Sequence, residues 1–307
     1  NWTSPWIRSS AGLTDVAHKN GVSVGCVMSI GYGAYVYLSN WRPDTYSRVL
    51  YKLTQKRGGK FIYAAPFVRL MKYYGINGIG FNSEFHTSAD VMTQLTEFFV
   101  ECHKEAKKID WKFEVHWYDG TDDRGSIHFD GGLGDHNKKI FGDKDNIATD
   151  MLFANYNWGN WHLNGSVSTA NRLGRSSFDY YAGFDIQGRA LRNDHWSALL
   201  NNDISIGFWG AHSQSLIHQS ATDDGTSDIA IQKAYLKKQE LIFSGGNNNP
   251  GYLPGINTNC TLANSSLKNF HGLATFLTAK STIQQIPFVS RFNLGNGLSF
   301  RKDGQVA

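Results

Sequence analysis

Two periods run through the hydrophobic positions of this chain. Short runs rich in Val, Ile, Phe and Tyr read as buried strands at 22–30, 78–84, 113–119, 151–156, 178–186, 204–210 and 286–292. Between the second and third, Val91, Leu95, Phe98, Phe99 and Cys102 recur at helical spacing and form one apolar stripe. Thr87 and Asp90 have the spacing of a capping box at its start, and Lys104, Lys107 and Lys108 complement the dipole at its end. A helix-like segment at 9–20 precedes the first strand. A second helical stretch runs from about 48 to 55 and onward to 72. No fixed-period repeat is present, which argues against solenoids and propellers.

Strand and helix alternate, so the expected fold is α/β with a parallel sheet. A doubly wound sheet and a (β/α)8 barrel both satisfy that pattern. No G-x-G-x-x-G follows the first strand. Polar and acidic residues close many different strands: Asn82 and Glu84, Tyr118 and Asp119, Asn155 and Trp158, Asp185, and Trp209. A barrel builds its site from such a rim, whereas a doubly wound sheet uses one crevice. The TIM-type (β/α)8 barrel is therefore expected. Seven strands are visible rather than eight, so the first is expected to be missing from the chain or supplied in part by residues 1–7.

Composition narrows the function. Lys and Arg exceed Asp and Glu by 30 to 26 over 307 residues, too mild an excess for a dedicated nucleic-acid binder. The clusters Lys104/Lys107/Lys108 and Lys233/Lys237/Lys238 are spaced like solvated helix faces. No apolar run reaches the roughly 18 residues of a membrane span. Three cysteines make no disulfide framework; Cys26 and Cys102 read as small buried hydrophobes. The aromatic share is high at 14%, and several rings lie among Asn, Asp and Gly, as in the run from Asn155 to Trp161. Flat rings beside hydrogen-bonding groups suit a sugar, which has an apolar face and a polar rim.

The strongest local signal is Gly78-Ile79-Gly80-Phe81-Asn82-Ser83-Glu84. Residues two apart on a strand project to one side, so Asn82 and Glu84 point together. A Glu ending an apolar strand is costly unless paired or functional. Burial raises its pKa, which suits a general acid; the alternative is a structural carboxylate bonded to a loop. A glycosidase of the usual kind needs a second carboxylate, and the neighbour here is an amide. An amide is no nucleophile, but it can hold a substrate acetamide whose oxygen attacks instead.

These residues resemble the catalytic strand of glycoside hydrolase family 85, the endo-β-N-acetylglucosaminidases. The resemblance continues in order through residues 17–22, Trp117-Tyr118-Asp119-Gly120, residues 153–158, the turn at 183–189 and the segment 287–297. It implies a barrel that cleaves between the two GlcNAc residues of the N-glycan core. It further implies Glu84 as acid then base, and Asn82, where relatives often carry Asp, as the residue orienting the acetamide. An oxazoline intermediate, retention and transglycosylation as a second outcome follow from it. Tyr118 is implied near the reacting acetamide or Glu84, and Trp158 as a ring that stacks on or gates the sugar. Asn155 and Trp117 belong to the same motifs and are expected at the substrate. Asp185 either bonds sugar hydroxyls or pairs with Arg189, and Trp209 either underlies a sugar or closes the core. Phe129-Asp130 stands where relatives commonly carry Trp-Gln, which leaves that subsite open.

N-linked glycans or glycoproteins are the partners so implied, with no cofactor and no metal. His212 and His218 are six apart, with no cysteine cluster and no H-E-x-x-H motif. Asp143-Lys144-Asp145-Asn146 opens like a calcium loop but lacks its Gly and Glu, so caps and turns are expected. The Gly131–Gly134 run reads as a flexible rim loop. Residues 1–307 are expected to form one catalytic barrel without the β-sandwich modules common in the family. Four N-x-[ST] sequons matter only on a secretory route, and the reading leans to a secreted rather than a cytosolic protein. Two rivals remain: a chitinase-like glycosidase, although its Asp-x-x-Asp-x-Asp-x-Glu run is absent, and a non-catalytic glycan-binding barrel.

Overall fold

The computed structural model describes residues 9–38, 45–185, 196–210 and 227–244, with short pieces at 261–262, 265–266, 273, 286–287, 301–302 and 305–306. The chain divides into two compact units. The first is Asn1–Gly183 with Asn202–Gly207, and the second is Phe184–Asn201 with Phe208–Ala307.

One six-stranded sheet organises the fold: β1 (Gly25–Ser29), β2 (Gly78–Asn82), β3 (Glu114–Tyr118), β4 (Met151–Phe153), β5 (Tyr180–Asp185) and β6 (Ser205–Trp209), hydrogen-bonded in that order. The pairs from β1 to β5 are all parallel, with registers such as Gly80 opposite His116 and Tyr118 opposite Phe153. Neighbours in sequence are neighbours in space, as successive βα units require. Six of the seven expected strands are thus present. Residues 1–8 and most of the seventh run lie outside the described residues, as do Cys260, His212, His218 and Arg189.

The helices are α1 (Ala11–Lys19), α2 (Thr45–Leu53), α3 (Ala64–Tyr73), α4 (Ala89–Lys108), α5 (Lys138–Phe141), α6 (Asn160–Arg172), α7 (Trp196–Leu199) and α8 (Asp228–Ser244). In α4 the stripe Val91, Leu95, Phe98, Phe99 and Cys102 is buried as its period requires. The cap differs from expectation: Ser88, not Thr87, is the N-cap, its hydroxyl accepting from the Val91 amide. Thr87 instead donates its hydroxyl to the Val36 carbonyl at 2.7 Å. The helix expected from 48 to 72 is two helices. A Lys56–Arg57/Lys60–Phe61 hairpin separates α2 from α3, turning through Gly58 and Gly59 at positive φ.

Alternation along the strands sorts the two faces of the sheet. Cys26, Met28, Ile79, Phe81, Val115, Trp117 and Leu152 are buried. Phe99 of α4 packs on Phe81 and Trp117, with centroids 5.2 and 6.3 Å apart. Burial pushes the Cys26 thiol up to about 12, so it is an inert apolar filler. The positions between these, including Asn82, His116, Tyr118 and Phe153, are less buried and share the other face.

Below this face the strand starts are tied by one side chain. Asn77 Oδ1 accepts from the Val24 amide at 3.0 Å and meets His18 Nε2 at 2.7 Å. Its backbone amide donates to Val24 and its carbonyl accepts from Glu114. One residue thereby fixes the heights of β1, β2 and β3. Asp150 repeats the device beside β3, accepting from the Val115 amide at 2.6 Å and meeting His103 Nε2 of α4 at 2.7 Å.

Two aromatic residues expected at the substrate are buried. Trp117 is 0% exposed and Trp158 only 2%. Trp117 follows from strand parity: it sits one residue from Tyr118 and faces the opposite side, where its indole donates to the Thr121 carbonyl. Trp158 turns inward after β4 and donates to the Gly183 carbonyl at 2.7 Å.

Asn77→Ala leaves the Val24 amide without its side-chain acceptor and is expected to cost about 2 kcal/mol, read as a lowered midpoint in urea with unchanged slope. Trp158→Ala is expected to behave as a core truncation, costing about 3–5 kcal/mol. A Trp158→Ala protein of normal thermal stability with weakened glycan binding would reverse that assignment.

Candidate active site

The site starts from a close passage between two strand ends. A Cβ on Gly120, after β3, would lie 2.2 Å from the Ser83 carbonyl oxygen, after β2. Only glycine permits backbones to approach so closely. Thr121 secures the crossing. Its hydroxyl lies 2.8 Å from the Ser83 carbonyl and 2.7 Å from that of Phe85, and accepts from the Phe85 amide at 3.1 Å. The Ser83 hydroxyl donates back to the Tyr118 carbonyl. With the odd positions turned into this stitch, Asn82, Glu84 and Tyr118 take the opposite side.

Asn82 Nδ2 donates to Glu84 Oε2 at 3.2 Å. Burial pushes the Glu84 carboxyl above its ordinary value, and the amide's donation opposes that in part. Tyr118 donates its hydroxyl to Asn155 Oδ1 at 2.8 Å. Asn155 passes the chain on to Asn157 at 3.1 Å, and Asn157 Nδ2 donates to the Phe129 carbonyl at 3.0 Å. The Phe129 ring lies 6.0 Å from that of Tyr118, and Tyr156 lies 6.2 Å from it. The structure thus brings Asn82, Glu84, Tyr118, Asn155 and Phe129 to one end of the first unit. Asp185 and Trp209 close β5 and β6 in the second unit, and Arg189 lies outside the described residues.

Asp119 takes no part in this face. It is 3% exposed and accepts from the Gly131 amide at 2.6 Å and from Asn137 Nδ2 at 3.0 Å. Burial pushes its carboxyl up to about 8 against those donors. Its work is to hold the loop from 128 to 137. The glycine run inside that loop was expected to be flexible, but it is packed. Leu133 is buried, its amide donates to Ser166, and Gly131 at φ +67° has no room for a Cβ beside Asn157. Glu114 shares the face of Tyr118 but sits four residues earlier, roughly 13 Å down the strand. His116 and Lys112 hold it ionised, near 2.

Some residues at this end escaped the sequence reading. Asn157 lies inside the run from Asn155 to Trp161 that the sequence singles out, but no spacing rule marked it. Tyr35 and His86 were not marked either. They stack at 5.0 Å on a short parallel bridge, Ala34–Tyr35 with Phe85–His86, directly after Glu84. His128, Asp130 and His136 also converge on one point, through loop geometry that no spacing rule encodes. The Asp143 segment forms the expected turn, Asp143 accepting from the amides of Asp145 and Asn146.

The chain is similar to the cytosolic endo-beta-N-acetylglucosaminidase of Gallus gallus, 28% identical over 181 residues. It is also similar to cytosolic endo-beta-N-acetylglucosaminidase 2 of Arabidopsis thaliana, 26% identical over 176 residues. Each match takes in 57% of this chain and 22% of the relative. The lean toward secretion is corrected by them, since both relatives are named as cytosolic. No helix among the described residues is long and apolar enough to cross a membrane. In fold the chain resembles the glycoside hydrolase domain of Endo-D from Streptococcus pneumoniae R6, of TIM-barrel type. That likeness has a TM-score of 0.67 and 22% identity, and covers 86% of this chain and 39% of that one. The model of glycosyl hydrolase family 85 matches residues 9–300, and the chain with its Asn82, Glu84 and Tyr118 belongs to that family.

Proposed function

We propose that this chain hydrolyses the GlcNAc-β1,4-GlcNAc bond in the core of N-linked glycans, with retention, by a substrate-assisted route. The observation that carries the reading is the Asn82–Glu84 pair: one carboxyl of raised pKa hydrogen-bonded to an amide, at the end of a strand. An amide beside the acid leaves the nucleophile to be supplied by the substrate.

In the first step Glu84, protonated, gives its proton to the glycosidic oxygen as the bond to C1 breaks. The 2-acetamido oxygen of the same sugar closes on C1, and an oxazolinium ring forms that keeps its N–H proton. Asn82 donates to Glu84 through Nδ2, and its Oδ1 is the acceptor that holds the acetamide N–H and aims its oxygen. Tyr118, fixed through Asn155, contacts the acetamide from the neighbouring strand. In the second step the Glu84 carboxylate takes a proton from water, which opens the oxazolinium on the face the leaving group vacated. Two inversions at C1 give net retention. A sugar alcohol in place of water gives transfer. The rings of Phe129, Tyr156, Tyr35 and His86 supply flat surfaces for the flanking sugars. Residues 1–307 are read as one catalytic part of the protein.

The test is mass spectrometry of a glycoprotein bearing N-glycans after incubation with the chain. Release that leaves one GlcNAc on each asparagine is expected. Glu84→Gln is expected to lower the rate by about 10²–10⁴-fold with glycan binding retained. No release from high-mannose, trimmed or complex glycans would favour a glycan-binding module instead. Because the acid must be protonated, the rate should fall on the alkaline side through the raised pKa of Glu84, above the ordinary carboxylate range. That limb should vanish from the residual activity of Glu84→Gln.

Asn82→Ala is expected to lower hydrolysis by about 10²–10³-fold, the scale of one lost transition-state hydrogen bond. Measured with a preformed oxazoline donor, the same variant isolates the second step. Normal hydrolysis by Asn82→Ala would end the acetamide-assisted account.

A further inference from the structure

The loop between β3 and α5 holds a constellation that the proposed reaction does not use. His128 Nδ1 lies 2.8 Å from Asp130 Oδ1, and His136 Nδ1 lies 3.0 Å from the same oxygen. The two imidazoles meet edge to face with centroids 4.4 Å apart. Both ring nitrogens therefore face Asp130 Oδ1, and the three ligand atoms lie within 4.8 Å of one another. The other carboxylate oxygen, Asp130 Oδ2, is buried with no hydrogen-bond partner. A buried orphan oxygen is costly, and natural structures seldom leave one without a use. Asp119, buried nearby, feels the negative charge of Asp130.

The backbone under these side chains is fixed. The His128 amide donates to Gly120 at 2.7 Å, and the His136 carbonyl accepts from Asp123 at 2.6 Å. Gly131 and Asn137, which flank the turn, both bond to Asp119. Such ligands lose little freedom on binding an ion, which is what separates a built site from a chance cluster.

We propose that His128, Asp130 and His136 bind a divalent first-row transition ion, of which Zn(II) is the type. Two imidazoles and one carboxylate suit such an ion, whereas Ca(II) and Mg(II) take oxygen donors throughout. Tetrahedral ligands about 2.0–2.1 Å from zinc stand roughly 3.3 Å apart. The present 2.8 and 3.0 Å need open only by a few tenths of an ångström. Each imidazole must carry its proton on Nε2, so that the Nδ1 lone pair faces the ion. The fourth position falls to water, because the histidine side chains are 51% and 40% exposed. Phe129 lies between two of the ligands, with its ring beside Tyr118. The ion therefore clips the segment that places this ring, and its role is to stiffen the loop.

The test uses the full chain without an affinity tag. Titration with Co(II) should give the visible spectrum of a four-coordinate ion with one saturable equivalent, and Zn(II) should displace it. His128→Ala and His136→Ala should each weaken binding by about 10-fold or more. Zn(II) should raise the melting temperature of the unaltered chain, and not that of the double variant. Circular dichroism of the apo variants checks that they fold; should His136→Ala fail to fold, His128→Asn, at the more exposed ligand, replaces it. Absence of the cobalt spectrum overturns the proposal. Equal affinity in the variants, or equal stabilisation by Ca(II), also overturns it. None of these readouts depends on glycosidase activity, so they fail or succeed apart from the reaction proposed above.

Discussion

The close passage of Gly120 across the Ser83 carbonyl is the constraint on which the rest of the site depends. Two parallel strands ordinarily end in loops that diverge over the helices. Here the loops touch, because the position after Tyr118-Asp119 has no side chain and the next residue brings one hydroxyl within reach of two buried carbonyls. Once Ser83 is drawn into that stitch, the chain turns tightly after β2 and Asn82 and Glu84 meet through their own hydrogen bond. Asp119 uses the same logic one residue earlier, turning inward to hold the following loop. Asn82, Glu84 and Tyr118 are thus set by neighbours that turn away from them.

The electrostatics follow from the same geometry. Glu84 stands in a half-buried place, which favours its protonated form. Its amide neighbour donates to it, which favours the charged form. A group that must give a proton in one step and take one in the next gains from this opposition, because neither state is held too firmly. A second carboxylate at the position of Asn82 would add like-charge repulsion to burial and raise the acid further.

Much of this was legible in the sequence. The helical stripe of α4, six strands and the shared direction of Asn82 and Glu84 all followed from period alone. Trp117 was legible in principle, since the parity that exposes Tyr118 must bury its neighbour, but its place in a functional motif outweighed that inference. Trp158 was not, because it lies past the end of β4, where alternation no longer applies and only the Gly183 carbonyl explains its turn. The hairpin at Lys56–Phe61 was hidden because the apolar residues around it keep a helical spacing. The Ser88 cap differed from the Thr87 expectation by one residue, since either hydroxyl fits the local pattern and the Val36 carbonyl claims Thr87. The convergence of His128, Asp130 and His136 depends on how a glycine-rich loop folds back, which no periodicity records.

Asn77 has a consequence for engineering. It ties the heights of three strands at the end opposite to Glu84, with contacts to α1 and none to the loops of the catalytic end. The ties that set strand height and the Asn82–Glu84 pair thus lie at different ends of the same strands. Rim segments such as the Tyr35–His86 bridge can then be exchanged for those of a relative while the frame keeps its register. Libraries aimed at new glycan preferences are best confined to that rim, with residue 77 and its partners left untouched.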